Sequence, residues 1–208
     1  MINIEGIILA AGLSSRLFGA NKILADVNGA PLIAWVIEES VASELNRITL
    51  VLGPNMNLPV LVERRVFSHP RVRTVTNPSP ENGMSSSILA GMRCLDSSSD
   101  GVALILGDQP LITAAVINTL LASFRKYPER IVAPLIQGRR TTPVIVPAAL
   151  FPEIMLITGD VGARSIVKRH AEEVIGVEMA LLYDDTDVDT QDDLVNIRKK
   201  MADRKGDS

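Results

Sequence analysis

A polar, basic stretch follows abruptly on an apolar run near the start of the chain: Ile7-Ile8-Leu9-Ala10-Ala11-Gly12-Leu13-Ser14-Ser15-Arg16-Leu17-Phe18-Gly19-Ala20-Asn21-Lys22. Ala10, Ala11 and Gly12 carry almost no side chain, so a ligand can come close to the backbone, and Gly12 is free to take φ > 0. Leu9 closes the apolar run, and Ser14 and Ser15 offer hydroxyls. Arg16 supplies a forked cation and Lys22 a point charge, both suited to a polyphosphate. The stretch is not a Walker A loop, because no Lys-Ser/Thr pair closes a Gly-x-x-x-x-Gly span. It is not a Gly-x-Gly-x-x-Gly dinucleotide turn either.

Asp108 is the sharpest single residue. It follows the run Val102-Ala103-Leu104-Ile105-Leu106-Gly107 directly. A carboxylate there must be solvated, paired or metal-bound. Mg²⁺ takes hard oxygen ligands, usually one or two carboxylates plus substrate phosphates. The alternative is an Asp closing a turn before Pro110. Near the end, Asp187-Val188-Asp189-Thr190-Gln191-Asp192-Asp193 offers more carboxylates. Thr190 and Asp193 alone also make a helix capping box, and acids at a helix start suit its dipole.

Gly83-Met84-Ser85-Ser86-Ser87 presents backbone N–H groups and hydroxyls that suit a pyrimidine edge. Its plain alternative is three serines opening a helix. A serine nucleophile is disfavoured, because Ser87 breaks the Gly-x-Ser-x-Gly elbow. Just two histidines occur, His69 in a basic loop and His170 on a polar helix end, so a Ser-His-Asp triad is not expected.

These groups need a scaffold. Residues 6–10, 48–52, 72–76, 102–106, 131–135, 144–146 and 174–179 read as strands, several as continuous apolar runs of the buried parallel kind. A turn is expected at Asn28-Gly29. Helices are expected from Pro31 to about residue 42, over 58–67, after Ser87 with Ile88, Leu89, Met92 and Leu95 inward, and from Thr113 as N-cap with Ile117, Leu120, Leu121 and Phe124 inward. Another opens at Gly159-Asp160-Val161-Gly162-Ala163-Arg164, and a last one buries Leu194, Ile197 and Met201. Alternation of strands and helices predicts an α/β fold: a mainly parallel sheet with helices on both faces. Ligands of such sheets bind beyond the carboxyl ends of the strands, where residues 12–22, 77–87 and 108 all fall.

The chain has 208 residues, 47% of them hydrophobic and few aromatic, with a formal net charge of −3. One domain over 1–202 is expected, with 203–208 a disordered tail. The charge argues against a nucleic-acid partner, and no apolar run approaches the ~20 residues of a membrane span. A lone cysteine, Cys94, excludes an internal disulfide framework and a cysteine-based zinc site; with no signal peptide it points to the cytoplasm. Cys94 and the helix methionines are expected at or near the core, and the Arg64, Arg65, Arg71, Arg73 cluster on solvated surface.

The first stretch resembles the Leu-x-x-Gly-x-x-x-Arg-x-Gly-x-x-Lys signature of nucleotidyltransferases with a single Rossmann-like, three-layer domain of the nucleotide-diphospho-sugar transferase type. Leu9-Ala10-Ala11-Gly12 is similar to the MobA-like, molybdenum-cofactor branch, more the cytidylyl than the guanylyl type. Leu106-Gly107-Asp108-Gln109-Pro110 and Asp187 to Asp193 match two further strings of that family, and Gly159 to Arg164 matches a Gly-Asp-x-Gly-Ala-Arg string of the cytidylyl branch. The resemblance implies Arg16, Lys22 and Asp108 as catalytic residues, and Asp108 and Asp189 as Mg²⁺ ligands. It implies nucleotide contacts from Leu9, Ala10, Ala11, Gly12, Ser14, Ser15, Arg16, Lys22, Asn77, Gly83, Ser85, Ser86, Ser87 and Asp108. Thr142, Pro143, Gly162 and Arg164 would then face the acceptor, although a solvated helix cation is the alternative for Arg164. Three departures stand out: Gln191 where proline is usual, Thr141-Thr142 where relatives carry Gly-His or Gly-Asn, and one extra residue in Arg16-Leu17-Phe18-Gly19.

The activity implied is transfer of CMP from CTP to the phosphate of molybdopterin, with pyrophosphate released. A molybdoenzyme or chaperone would be the protein partner. The alternatives are a guanylyltransferase of the same pathway, a cytidylyltransferase for a sugar or polyol phosphate, and a non-catalytic maturation factor that binds the cofactor.

Overall fold

The β-branched and leucine-rich runs pair into one sheet. In the computed structural model, which describes residues 2–12, 22–54, 56, 58, 62, 63 and 69–206, the first strand, β1, spans Ile4–Ala10. A small hairpin, β2 (Asp26–Val27) and β3 (Ala30–Pro31), turns through Asn28 and Gly29, both at positive φ, as the Asn-Gly pair predicts. Then come α1 (Leu32–Ala42), β4 (Arg47–Leu52), β5 (Val72–Thr76), α2 (Met84–Met92) and β6 (Gly101–Leu106). The second half adds α3 (Ala114–Lys126), β7 (Ile131–Ile136), β8 (Arg139–Arg140), β9 (Val144–Pro147) and α4 (Phe151–Ile154). It closes with α5 (Ala163–Arg169), β10 (Val174–Glu178) and α6 (Gln191–Gly206). Of the helix expected over 58–67, residues 58, 62 and 63 are described; 62 and 63 are helical and 58 is not. The last helix runs on through Gly206, past residue 203 where the tail was expected.

The sheet order is β10-β7-β9-β6-β1-β4-β5, with β8 on β7. β1 pairs in parallel with β4 and β6, β4 with β5, and β7 with β10. β9 runs antiparallel between β6 and β7. The reason is local. No helix separates β7 from β9, so the chain can only double back.

Period-two alternation sends successive side chains to opposite faces. Ile4 and Ile8 of β1, with Ala103 and Ile105 of β6, pack under α1 and α3. Ile7, with Val102 and Leu104, packs under α2, α4 and α5. This makes three layers. Ile7 and Ile8 are both 0% exposed, and each such side chain contributes about 1.5–3 kcal/mol relative to exposure. Thr113 caps α3 by accepting from Val116 N–H at 3.3 Å, and Ile117, Leu120, Leu121 and Phe124 are buried as their spacing predicts. A third, smaller cluster joins Val27 and Leu32 to Leu111, Val188, Leu194, Ile197 and Met201, fastening α6 onto the hairpin.

Two arginines correct the expectation of a solvated basic cluster; Arg64 and Arg65 lie outside the described residues. The Arg71 guanidinium donates to the carbonyls of Leu45 (2.6 Å), Ser43 (3.1 Å) and Val41, satisfying the end of α1. Arg73 pairs at 2.9 Å with Glu5, which is 1% exposed and also accepts from Asp96 N–H and the Ser99 hydroxyl. Sequence shows a run of arginines; which of them meets a buried acceptor depends on strands 68 residues apart.

Candidate active site

From β1 the chain builds outward to β4 and β5, then returns to the other side of β1 for β6. That reversal opens a crevice beyond the carboxyl ends of β1 and β6. Leu9 and Leu106 are register partners there. Gly107 N–H continues the ladder by donating to the Leu9 carbonyl at 2.9 Å. A β-carbon on Gly107 would itself lie 2.9 Å from that carbonyl oxygen, so glycine is required for Asp108 to emerge here.

A pocket of about 720 Å³ occupies the crevice, within the range of small-molecule sites. One wall is Leu9, Ala10, Ala11 and Gly12, which expose backbone and methyl groups. Ser14, Ser15 and Arg16 lie outside the described residues. A second wall is the start of α2 with the turn before it: Pro80, Glu81, Gly83, Met84 and Ser87. Asp160 and Gly162, packed against that turn, line the pocket too, with Ala163, Arg164 and Thr142. Lys22, Asp108, Asp187 and Asp189 close one end.

Lys22, in the short 3-10 turn Lys22–Leu24, links two distant segments. Its Nζ lies 2.7 Å from Asp108 Oδ2 and 2.6 Å from Asp189 Oδ1. Burial works to lower its pKa, but the charges and hydrogen bonds of the two aspartates outweigh that and hold the ammonium above its ordinary value. Asp187 has an elevated pKa, because burial and then the charge of Asp108 disfavour its ionised form; a hydrogen bond from Gln109 opposes this.

The last motif carries both roles that its residues suggest. Asp193 Oδ2 accepts from Thr190 N–H (2.7 Å), and the Thr190 hydroxyl accepts from Asp193 N–H (3.1 Å), so the capping box forms. The hydrogen bond from the Thr190 side chain is the first cause of a lowered Asp193 pKa. The Asp189 carboxylate takes no part in the box and goes to Lys22. α6 starts at Gln191 without the usual proline.

Other predicted residues sit behind the pocket wall. Asn77 is 2% exposed, and its amide donates to the hydroxyls of Ser86 (2.8 Å) and Ser87 (3.0 Å), while its carbonyl accepts from Ser79 N–H (3.0 Å). It braces the turn that opens α2 and is not among the residues lining the pocket. Ser85 donates its N–H to the Gly159 carbonyl at 3.2 Å, and the Ser86 hydroxyl bonds to the carbonyls of Ser79 and Gly83. Ser87 alone of the three serines lines the pocket, Thr142 lines it as well, and Pro143, joined to Thr142 by a cis peptide bond, does not.

Sequence reasoning assigned no role to Asp187, Glu81 or Asp160, which also line the pocket. The signal for Asp187 is its i, i+2 relation to Asp189 around Val188, which is 0% exposed and turns both acids the same way. Gln109 carries no comparable signal. Its side chain reaches partners 33 to 78 residues away.

Asp108 and Asp189 present hard oxygens that already converge on one cationic nitrogen, so a divalent cation suits this place. Among the described residues, no three His, Cys, Asp or Glu side chains are gathered as a ready metal cluster, so phosphate or water oxygens would complete the shell. No described helix is long and apolar enough to cross a membrane.

Comparison with known proteins bears on the fold and the family. The chain is similar to purine catabolism protein PucB of Bacillus subtilis (strain 168), 26% identical with 95% of this chain and 97% of that one covered. It is similar to nicotine blue oxidoreductase of Paenarthrobacter nicotinovorans, 28% identical with 93% and 96% covered. Crystal structures of Rv0371c from Mycobacterium tuberculosis H37Rv share the fold. One has a TM-score of 0.78 and 22% identity, and a manganese complex has 0.72 and 20%, each covering 95% of this chain and 98% of that one. The model of the MobA-like NTP transferase domain matches residues 6–174, and the chain belongs to that family of nucleotidyltransferases.

Proposed function

We propose that this protein transfers CMP from CTP to the phosphate of a molybdopterin-type acceptor, with Mg²⁺ as cofactor. The observation that carries the reading is the convergence of Asp108 and Asp189 on Lys22 beside a wall of bare backbone, with Arg164 elsewhere in the lining of the same pocket. A triphosphate fits beside the first group and an anionic acceptor beside Arg164.

An acceptor phosphate oxygen attacks the α-phosphorus in line; the bond from that phosphorus to the bridging oxygen breaks, and pyrophosphate leaves with the bond's electron pair. A phosphate monoester is already nucleophilic, so no strong general base is needed. Catalysis is then positioning and charge neutralisation. Asp108 and Asp189 would hold Mg²⁺, which when bound supplies positive charge to the phosphates. Lys22 offsets triphosphate charge, joined by Arg16 on our reading of the motif. The small wall residues 10–12 admit the phosphates close to backbone, and Gly162 and Thr142 shape the acceptor side. Manganese in a structure of the same fold supports a divalent cation. The Gly159 to Arg164 string supports the cytidylyl branch over the guanylyl one.

The test is the melting-temperature shift with Mg²⁺ and each of CTP, GTP, ATP and UTP, followed by pyrophosphate release with molybdopterin. A ligand at ~100 Kd stabilises the native state by about 2.7 kcal/mol, which is readily seen. A CTP-selective, Mg²⁺-dependent shift with pyrophosphate release is expected. A GTP-selective shift replaces the base; release with a sugar or polyol phosphate replaces the acceptor; binding without release makes the chain a cofactor-binding maturation factor. One relative is named an oxidoreductase, so consumption of a reduced nicotinamide without pyrophosphate release would displace the transferase reading altogether.

A further inference from the structure

Lys22 bridges the two aspartates read above as cation ligands, with Nζ 2.7 Å from Asp108 Oδ2 and 2.6 Å from Asp189 Oδ1. Both contacts are in the range of charge-assisted hydrogen bonds. The side chains of Lys22 and Asp108 are 16% and 22% exposed, so that half of the bridge is shielded from bulk water. The side chain of Asp189 is 67% exposed, and an ion can reach the pair from there.

The lysine does not create the pairing of the carboxylates. Backbone bonds hold them from behind. Val188 N–H donates to the Asp108 carbonyl at 3.2 Å, which ties the segment before α6 to the turn after β6. Asp189 N–H donates to Asp193 Oδ2 at 3.1 Å, which anchors Asp189 to the capping box of α6. The two acids therefore stay near one another when the ammonium leaves. Carboxylates held so close repel unless a cation lies between them. The ammonium gives them one positive charge against two negative ones. A dication would match the pair in full. Among the described residues, no third His, Cys, Asp or Glu completes a metal-holding group with them, so further oxygens would come from phosphate or water.

An ammonium and a dication bearing on the same two carboxylates repel each other, and most strongly where water is excluded. One must leave for the other to bind. Lys22 has somewhere to go. Its stem is flexible, and it shares the pocket with the bare wall of Leu9, Ala10, Ala11 and Gly12, where a polyphosphate can lie.

We propose that Lys22 competes with the dication for Asp108 and Asp189, keeping the pair closed to metal until a polyphosphate draws the ammonium off. This rests on the reading of those two aspartates as metal ligands. The exchange makes metal entry depend on arrival of the nucleotide, whose phosphates supply the oxygens that the two carboxylates lack.

The experiment is titration of Mn²⁺ into the full chain without nucleotide, followed by the electron paramagnetic resonance signal of the free ion, for wild type, Lys22→Met and Lys22→Met/Asp189→Asn. Methionine keeps the apolar stem and drops the charge. Lys22→Met is expected to bind Mn²⁺ about tenfold more tightly than wild type, the scale of two ion pairs removed from competition. The double variant is expected to lose that gain. A merely structural role for Lys22 would lower the melting temperature and leave Mn²⁺ affinity unimproved. Lys22→Gln, with the same tightening expected, takes the place of Lys22→Met if that variant does not melt cooperatively. Equal or weaker Mn²⁺ binding in the folded neutral variant overturns the proposal, as does a gain that survives Asp189→Asn. The outcomes separate from those of the transferase reading. A gain that depends on Asp189, without pyrophosphate release by wild type from any nucleotide, leaves this proposal standing and removes that one; release by wild type, with no gain in the neutral variant, does the reverse.

Discussion

Gly83 and Gly159 meet backbone to backbone at the edge of the pocket. A β-carbon on Gly83 would lie 2.5 Å from the Gly159 carbonyl carbon and 2.5 Å from the next amide nitrogen, that of Asp160. Gly83 also has φ +88, in the left-handed region. The contact is reinforced by Ser85 N–H on the Gly159 carbonyl and Met84 N–H on Asp160 Oδ1. It joins the start of α2 to the loop before α5.

Gly83→Ala should therefore be costly twice over, through left-handed strain and through collision with backbone that cannot rotate aside. A loss of about 3 kcal/mol is expected in urea denaturation. A midpoint equal to wild type would show that the two segments are not in contact in solution.

Asp108→Asn should leave the fold in place and remove function. Lys22 keeps Asp189 as partner, so the melting temperature should change by a few degrees. Pyrophosphate release should fall by about 100-fold or more, the scale seen when one electrostatic group is removed from a transition state. Chelation of divalent ions should abolish wild-type release, and added Mg²⁺ should restore it. Near-normal turnover in Asp108→Asn refutes the role given to this carboxylate.

Glu5 should depend on Arg73. The carboxylate is 1% exposed, and Arg73 is the one cation paired with it among the described residues. Arg73→Leu leaves a buried charge unmatched and should cost about 3 kcal/mol in a denaturant melt. Glu5→Gln in the same background should recover much of that loss.

The link between α4 and the end of α5 should weaken with rising pH. His170 Nε2 lies 2.7 Å from Glu153, whose other oxygen is 3.0 Å from Arg169, and Glu173 is 3.5 Å from Nδ1. The hydrogen bond to Glu153 leads the causes that raise the histidine's pKa above its ordinary 6.5. The folded chain thus holds the proton more tightly than the unfolded one. Its stabilisation is complete below pH 6.5 and is lost as pH rises through the raised value. Differences in melting temperature between wild type and His170→Gln, followed from pH 5.5 to 8.5, should shrink toward alkaline pH.

Much of the architecture was legible in the chain itself. Largely apolar runs made β1, β4 and β6, the Asn28-Gly29 pair made the hairpin turn, and Thr113 capped α3 where the 3.6-residue period begins. These are local effects, dictated by backbone sterics and by how often an apolar residue recurs. The same locality brought Gly12, Ser87, Asp108 and Asp189 within reach of one pocket, because all follow strands or open helices at one sheet edge. The sequence by itself determined the carboxylates, the lysine and the class of fold that gathers them. Tertiary structure alone decided how each polar group is spent. Arg71 closes the end of α1, Arg73 pairs with Glu5, Asp189 goes to Lys22, and Gln109 holds Asp187. Each of those outcomes turns on a hydrogen bond between segments far apart in the chain. A residue type records that such a bond can be made, and only the packed fold brings its partner within 3 Å.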